Sequence, residues 1–130
     1  MAKSICLLFT GLLCGIIAAV ATDESLNQAI ESLNARAKTA ADKKLVLKAV
    51  LQQTRQSEKT LRSQMSTTHL GYGELLTADS LVEGSGKSLN EVLALKKGKG
   101  WASLSIELKV DPDSIENRLR YAEKTVQAAQ

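Results

Sequence analysis

Apolar residues in this chain recur every three or four positions, and no segment alternates apolar and polar residues as a half-buried strand does. Residues 23–38 show the pattern most clearly, with an apolar stripe formed by Leu26, Ile30, Leu33 and Ala37. Proline occurs once, at Pro112. The sequence therefore predicts an all-α fold, a small bundle of short helices joined by tight glycine turns.

Capping residues indicate where several of these helices begin. Ser88 is followed three residues later by Glu91, which is the spacing of a capping box. Asp111 precedes Pro112, and proline at the first helical position loses no hydrogen bond. The last helix should then bury a stripe formed by Ile115, Leu119, Ala122 and Val126.

Residues 43–66 fit either one long helix or two short ones. Two are favoured because Ser57 offers a helix start and no apolar residue lies between Arg55 and Leu61. The segment VLQQTRQSEKTL also aligns without gaps with LSIELKVDPDSI near the C-terminus. An internal repeat of a helix–turn–helix unit is one interpretation of this alignment.

The first 21 residues have the three parts of a secretory signal. Lys3 supplies a positive charge, an apolar run extends from Ile5 to Val20, and small residues precede a cleavage site after Ala21. The alternative is an uncleaved membrane anchor, but the run is shorter than the roughly 20 residues that span a bilayer. We expect an exported protein, periplasmic or secreted, that contacts a membrane only through this signal peptide before cleavage.

Cleavage would change the composition of the chain in two ways. Both cysteines, Cys6 and Cys14, lie in the signal, so the mature chain would have no disulfide. Loss of Lys3 lowers the formal net charge from +3 to +2. So small a charge does not indicate nucleic acid or an anionic membrane as partner.

The expected organisation has three parts: a signal peptide (1–21), an N-terminal amphipathic helix with a linker (22–41) and a helical domain (42–127). The stripe of residues 23–38 has two interpretations. As a loosely attached arm it would dock on a partner or on a second copy of the chain, giving a homo-oligomer. Alternatively, it closes over the core of its own domain.

Motifs for catalysis or cofactor binding are incomplete. GSGKS at 84–88 matches only the end of a phosphate-binding loop, since that motif needs a glycine where Leu81 stands. His69 is the single histidine, too little for an ordinary zinc site. No serine or cysteine stands in a nucleophile-elbow pattern. We expect no enzyme activity, no cofactor and no metal.

Six residues form the candidate binding set. Tyr72 and Trp101 each lie beside glycine at a predicted helix start, where they would either stack on a ligand or fill the core. The other members are lysines around two turns, which would either form a basic patch or remain solvated near helix C-termini. These lysines are Lys87, Lys96, Lys97 and Lys99.

The segment LSIELKVDPDSIENRL resembles the helix-turn-helix of sigma-factor-like and response-regulator DNA-binding domains. Its apolar positions match those families at Leu104, Leu108, Val110, Ile115 and Leu119. Ser105 stands where the families favour alanine, and Lys109 stands where they favour a turn glycine. The resemblance implies two packed helices.

The charge of this segment argues against DNA binding. In the second helix of the segment, Asp111, Asp113 and Glu116 precede the first basic residue, Arg118. A recognition helix presents this N-terminal half to the DNA, where acids would oppose the phosphates. No nucleic acid is therefore expected as a partner.

Residues 69–125 also resemble a family of small, uncharacterised exported bacterial proteins that combine a GYGE turn, a GKGW turn and a helix-turn-helix-like end. The resemblance implies export and a helical fold and transfers no catalytic residue. The sequence thus predicts a non-enzymatic binding or interaction module of the bacterial cell envelope, whose partner is an unknown protein or envelope component. The alternative function is a DNA-binding helix-turn-helix protein.

Overall fold

The computed structural model describes residues 23–130, and within this range its regular secondary structure is entirely α-helical, with no β-strand. The first helix, α1, is described over residues 23–35. The others are α2 (Ala40–Thr54), α3 (Glu58–Thr68), α4 (Tyr72–Ser85), α5 (Leu89–Lys96), α6 (Trp101–Glu107) and α7 (Pro112–Ala129). The predicted all-α bundle of short helices is confirmed. The predicted signal peptide and its cleavage site lie outside the described residues.

Side-chain caps place the helix starts. Ser57 separates α2 from α3, because its hydroxyl accepts a hydrogen bond from the backbone N–H of Thr60 at 3.2 Å. The two short helices favoured from the sequence are therefore confirmed. The capping box at Ser88 and the Asp111 cap before Pro112 are also present, as predicted. We expected α2 to begin at residue 43, but Thr39 caps it and its first residue is Ala40, three residues earlier.

Five of the turns share one backbone pattern, in which a residue with positive φ lies two positions before the N-cap of the next helix. The positive-φ residues are Arg55, His69, Gly86, Gly98 and Lys109. The N-caps that follow them are Ser57, Gly71, Ser88, Gly100 and Asp111. All five turns are tight, but within residues 23–130 glycine occupies two of the five left-handed positions. The aligned segments around Arg55 and Lys109 share this geometry with every other such turn, so it does not identify them as a repeat.

Helix α4 is the centre of the bundle. Its residues 75–81 are buried one after another, and it packs against α2, α5 and α7. Such burial brings polar residues into the interior. The hydroxyls of Thr77 and Ser80 donate to backbone carbonyls one turn earlier, each at 2.8 Å. Asp79, between them, is also buried and has no such backbone partner.

The stripe of α1 lies in the same core as the other six helices. Leu26, Ala29, Ile30 and Leu33 are all buried in one cluster with residues of α2 to α7. Of the two interpretations of this stripe, closure over the core of its own domain is the one that the structure shows, and the loosely attached arm is not seen. The helix also ends at residue 35, before the predicted residue 38.

Polar contacts hold α1 at both ends. Asp23 accepts a hydrogen bond from the backbone N–H of Ala102 at 3.1 Å and so binds the first turn of α6. Asn34 accepts from the N–H of Gly73 at 2.7 Å. The backbones approach closely there, since a Cβ on Gly73 would lie 2.6 Å from the carbonyl oxygen of Ile30. α1 is therefore part of the domain.

Candidate functional site

Trp101, the first residue of α6, is a core residue. Only 7% of it is exposed, and it belongs to the cluster of buried apolar side chains. The ammonium of Lys96 lies 4.9 Å from the centre of its ring, a cation–π contact. Trp101 therefore offers no open face for a ligand. The core interpretation is the correct one for this residue.

Tyr72 begins α4 and is half-buried against the core. The exposed tyrosine is Tyr121 on α7, which is 64% exposed. Because Trp101 is buried, Tyr72 and Trp101 do not form the exposed stacking pair that we considered from the sequence.

The four candidate lysines lie at opposite ends of α5. Lys87 is in the turn before this helix, while Lys96, Lys97 and Lys99 are at its C-terminal end, about 12 Å further along the axis. Lys99 forms an ion pair with Glu107 at 2.5 Å. Lys96 is engaged with Trp101. The structure does not gather these lysines into one basic patch.

The C-terminal pair of helices shows how the chain accommodates its departures from the helix-turn-helix pattern. Lys109 has φ 59°, so it adopts the left-handed conformation for which those families favour glycine. Ser105 is buried and donates its hydroxyl to the carbonyl of Val110. Asp111 and Asp113 remain exposed at the start of α7.

Arg118, the first basic residue of α7, binds groups of the protein itself. The Arg118 guanidinium donates to the Ser80 hydroxyl at 2.8 Å, to Glu83 at 3.2 Å and to the backbone carbonyl of Gln53. These contacts join α7 to α4 and α2. A DNA phosphate would have to compete with them for the guanidinium.

A groove between α2 and α3 combines basic side chains with an apolar floor. It has a volume of about 320 Å³ and is lined by Lys44, Leu47, Lys48, Leu51, Glu58 and Arg62. Lys44 and Lys48 are exposed on its α2 side. Leu47 is 5% exposed and Leu51 is half-buried, so both leucines lie at the bottom. We call these six residues the α2–α3 groove.

The wall contributed by α3 is held by an ion pair. Glu58 and Arg62 stand one turn apart, and their charged groups are 2.9 Å apart. This leaves the lysines of α2 as the dominant charge of the groove. Sequence reasoning missed this site. The sequence pattern that could have indicated the groove is two interleaved i, i+4 pairs on α2, Lys44 with Lys48 and Leu47 with Leu51.

Another groove, of about 340 Å³, lies at the turn between α1 and α2. Most of its polar side chains already bind one another or the rest of the chain. Arg36 pairs with Glu123 at 3.1 Å, and Gln130 donates to Asp42 at 2.9 Å. The α2–α3 groove is therefore the better candidate for an external partner.

A polar junction lies beneath the α2–α3 turn and consists of Gln56, Asp79, Ser80, Glu83 and Arg118. The Gln56 amide donates to one oxygen of Asp79 at 2.9 Å. The other oxygen of Asp79 and the carbonyl oxygen of Gln56 are buried without a hydrogen-bond partner. Burial, and then the negative charge of Glu83, raise the pKa of Asp79 to about 6, against a smaller opposing effect of Arg118.

No protein-family model, no curated protein and no solved structure matches this chain. The two resemblances noted from the sequence therefore stay hypotheses.

Residues 23–130 contain neither a cluster of metal-ligating side chains nor a membrane-spanning helix. Within that range no three histidine, cysteine, aspartate or glutamate side chains come together as a metal site would require. Nor does any helix there have the length and apolar character needed to cross a bilayer. His69, the one histidine, lies exposed at the left-handed end of α3.

Proposed function

We propose that this protein is a small, exported, non-enzymatic binding module that recognises another protein through the α2–α3 groove. The observation that carries the proposal is the pairing of Lys44 and Lys48 above the leucine floor. Export rests on the signal-like sequence of residues 1–21.

The chemistry of the groove favours an acidic protein segment with apolar anchors. Two lysines attract carboxylates, which aids encounter and orientation more than affinity. The apolar floor would accept a few side chains of a docked helix or extended segment. The polar residues of the groove are cations and one ion-paired carboxylate, an arrangement suited to binding rather than to proton or group transfer.

The geometry of the groove is less suited to a membrane or to DNA. Leu47 and Leu51 lie at the bottom of a concave surface, so they are badly placed to insert into a bilayer. On α7, the Arg118 guanidinium is bound by Ser80, Glu83 and Gln53, which weakens the alternative of a DNA-binding helix-turn-helix.

Site-specific photo-crosslinking in the native cells tests the groove. A photoreactive amino acid replaces Arg62 in one variant and the exposed Tyr121 in the control variant. We expect position 62 to give a defined protein adduct that is lost when Lys44→Glu and Lys48→Glu are added. An adduct that survives these charge reversals, or adducts equal at both positions, would rule out the groove.

Gel-shift titration of the purified protein at low salt examines the alternative function. We expect no shift of double-stranded DNA. A salt-dependent shift that Lys44→Glu with Lys48→Glu abolishes would reassign the groove to nucleic acid. Export is tested separately by mass spectrometry of the envelope fraction, where the mature protein should begin at Thr22.

A further inference from the structure

The contact between Gln56 and Asp79 in the polar junction has one hydrogen bond, and one oxygen of each side chain has no hydrogen-bond partner. One N–H of the Gln56 amide reaches one carboxylate oxygen at 2.9 Å. The second oxygen of Asp79 and the carbonyl oxygen of Gln56 then have no donor, although both are buried. Two acceptor oxygens of one contacting pair are therefore left without a hydrogen-bond donor, and neither is exposed at the protein surface.

A single proton satisfies both atoms. A protonated carboxyl group carries an O–H donor, and a primary amide offers one donor and one acceptor side by side. The two groups can therefore close a ring with two hydrogen bonds, N–H to the carbonyl-type oxygen of Asp79 and O–H to the amide oxygen of Gln56. An ionised Asp79 makes only the first bond and leaves a buried oxygen unsatisfied, which destabilises the contact.

We propose that Asp79 and Gln56 form a proton-dependent latch, which pins the α2–α3 turn to α4 while Asp79 is protonated and releases the turn when Asp79 ionises. This device is independent of what the α2–α3 groove binds. No covalent chemistry is involved. The proton on the acid oxygen exchanges with solvent when the turn opens.

The charges around Asp79 set the pH at which the latch works. Glu83, one turn further along α4, opposes ionisation through its negative charge and through a side-chain hydrogen bond with Asp79, and Arg118 from α7 favours ionisation. The α2 side presents neutral groups, the Gln56 amide and the Gln53 carbonyl that holds Arg118. Among the described residues, α5 adds no charge that acts on Asp79. Together with burial, these groups raise the pKa of Asp79 to about 6.

Helix α3 is the element that the latch would control. Leu61 is its one fully buried side chain, and α3 otherwise lies on the surface of the bundle. The turn that leads into it carries Arg55 at φ 58°, a left-handed conformation that is strained for a residue with a side chain. Few other contacts hold this helix, so the loss of the latch should be visible in its opening.

Amide hydrogen exchange measured on the purified protein tests the latch. After correction for the intrinsic pH dependence of exchange, the opening equilibrium of the α3 amides should rise roughly tenfold between pH 5 and pH 7.5, as expected for a carboxyl group whose pKa falls from about 6 to its ordinary value on opening. In parallel, the carboxyl carbon of Asp79 should titrate near pH 6 by NMR.

Three variants separate the latch from a merely structural contact. Asp79→Asn keeps both hydrogen bonds without a proton, so α3 should remain protected at both pH values. Gln56→Met removes the amide, so α3 should open readily even at pH 5. Glu83→Gln, the matched control, retains the latch but removes a negative charge, so the midpoint of the transition should move to lower pH.

Several results would overturn the latch. These are α3 exchange in the unmodified protein that does not respond to pH, an Asp79→Asn variant that still responds, or a Gln56→Met variant as protected as the parent at pH 5. If a variant does not fold, the NMR titration decides, because an Asp79 pKa near its ordinary value of 3.8 contradicts the latch by itself.

Discussion

At the scale of single residues, burial decides which of the conspicuous side chains matter for stability. Trp101 is 7% exposed and Tyr121 is 64% exposed, although both are large aromatics in a chain with few of them. The tryptophan fills the core, which otherwise consists of aliphatic side chains and alanine. The tyrosine makes no comparable contribution. Aromatic scarcity alone does not distinguish them.

Replacing Trp101 by alanine should therefore lower the free energy of unfolding by roughly 3–5 kcal/mol. Tyr121→Ala, the control, should change it by less than about 0.5 kcal/mol, as surface substitutions usually do. Chemical denaturation followed by circular dichroism measures both. An equal effect of the two substitutions would mean that the indole ring is exposed.

Asp79 makes stability depend on pH in a direction unusual for an acidic residue. Its folded pKa, about 6, lies above the ordinary 3.8, so the native state binds the proton more tightly than the unfolded state does. The stabilisation is full below about pH 4 and is lost as the pH rises through 6, by up to roughly 3 kcal/mol. Denaturation curves between pH 4 and pH 7 should show this loss of unfolding free energy. The Asp79→Asn variant should lack the loss that comes from ionisation of Asp79.

At the scale of elements, the turns carry a strain that substitution can relieve. Lys109 adopts φ 59°, in the region where glycine pays no penalty for a Cβ. The helix starts depend on local sequence and were predicted from Ser57, Ser88 and Asp111. The left-handed conformations of Arg55 and His69 were not predicted, because neither residue type favours that conformation.

Lys109→Gly should stabilise the protein by up to about 1 kcal/mol, since the relief of left-handed strain outweighs the greater freedom of glycine in the unfolded chain. Gly86→Ala is the opposite substitution at an equivalent turn, where φ is 75°, and should destabilise by about 1–2 kcal/mol. Thermal unfolding of both variants checks the signs. A stabilising Gly86→Ala would contradict the shared turn geometry.

At the scale of the whole molecule, residues 23–130 share a single core to which α1 contributes like any other helix. The contact of Asp23 with α6 and that of Asn34 with α4 tie both ends of α1 to the bundle. The arm-like interpretation of this helix followed from its place beside the signal-like segment. A single amphipathic stripe predicts that one face of the helix is buried, but it does not predict which surface that face packs against.

Leu33→Ala should accordingly lower the free energy of unfolding by about 2–5 kcal/mol, because it leaves a cavity in the shared core. Glu31→Ala, an exposed position on the same helix, serves as the control and should be nearly neutral. Unfolding should remain one cooperative transition in the parent protein. A separate early transition, lost with Leu33→Ala, would mean that α1 is only loosely attached.

The sequence by itself determined the helical class, the capped helix starts and the buried stripe of α7, because each depends on residues within four positions of one another. Only the tertiary structure decided the closure of α1 on the core, the α2–α3 groove and the meeting of Gln56 with Asp79. Each of these depends on which helices pack against one another. The spacing of apolar residues predicts the buried face of a helix, but it does not predict the helix that packs on that face. The burial of Asp79 is the clearest case, since the same carboxylate on a peripheral helix would be solvated and ionised.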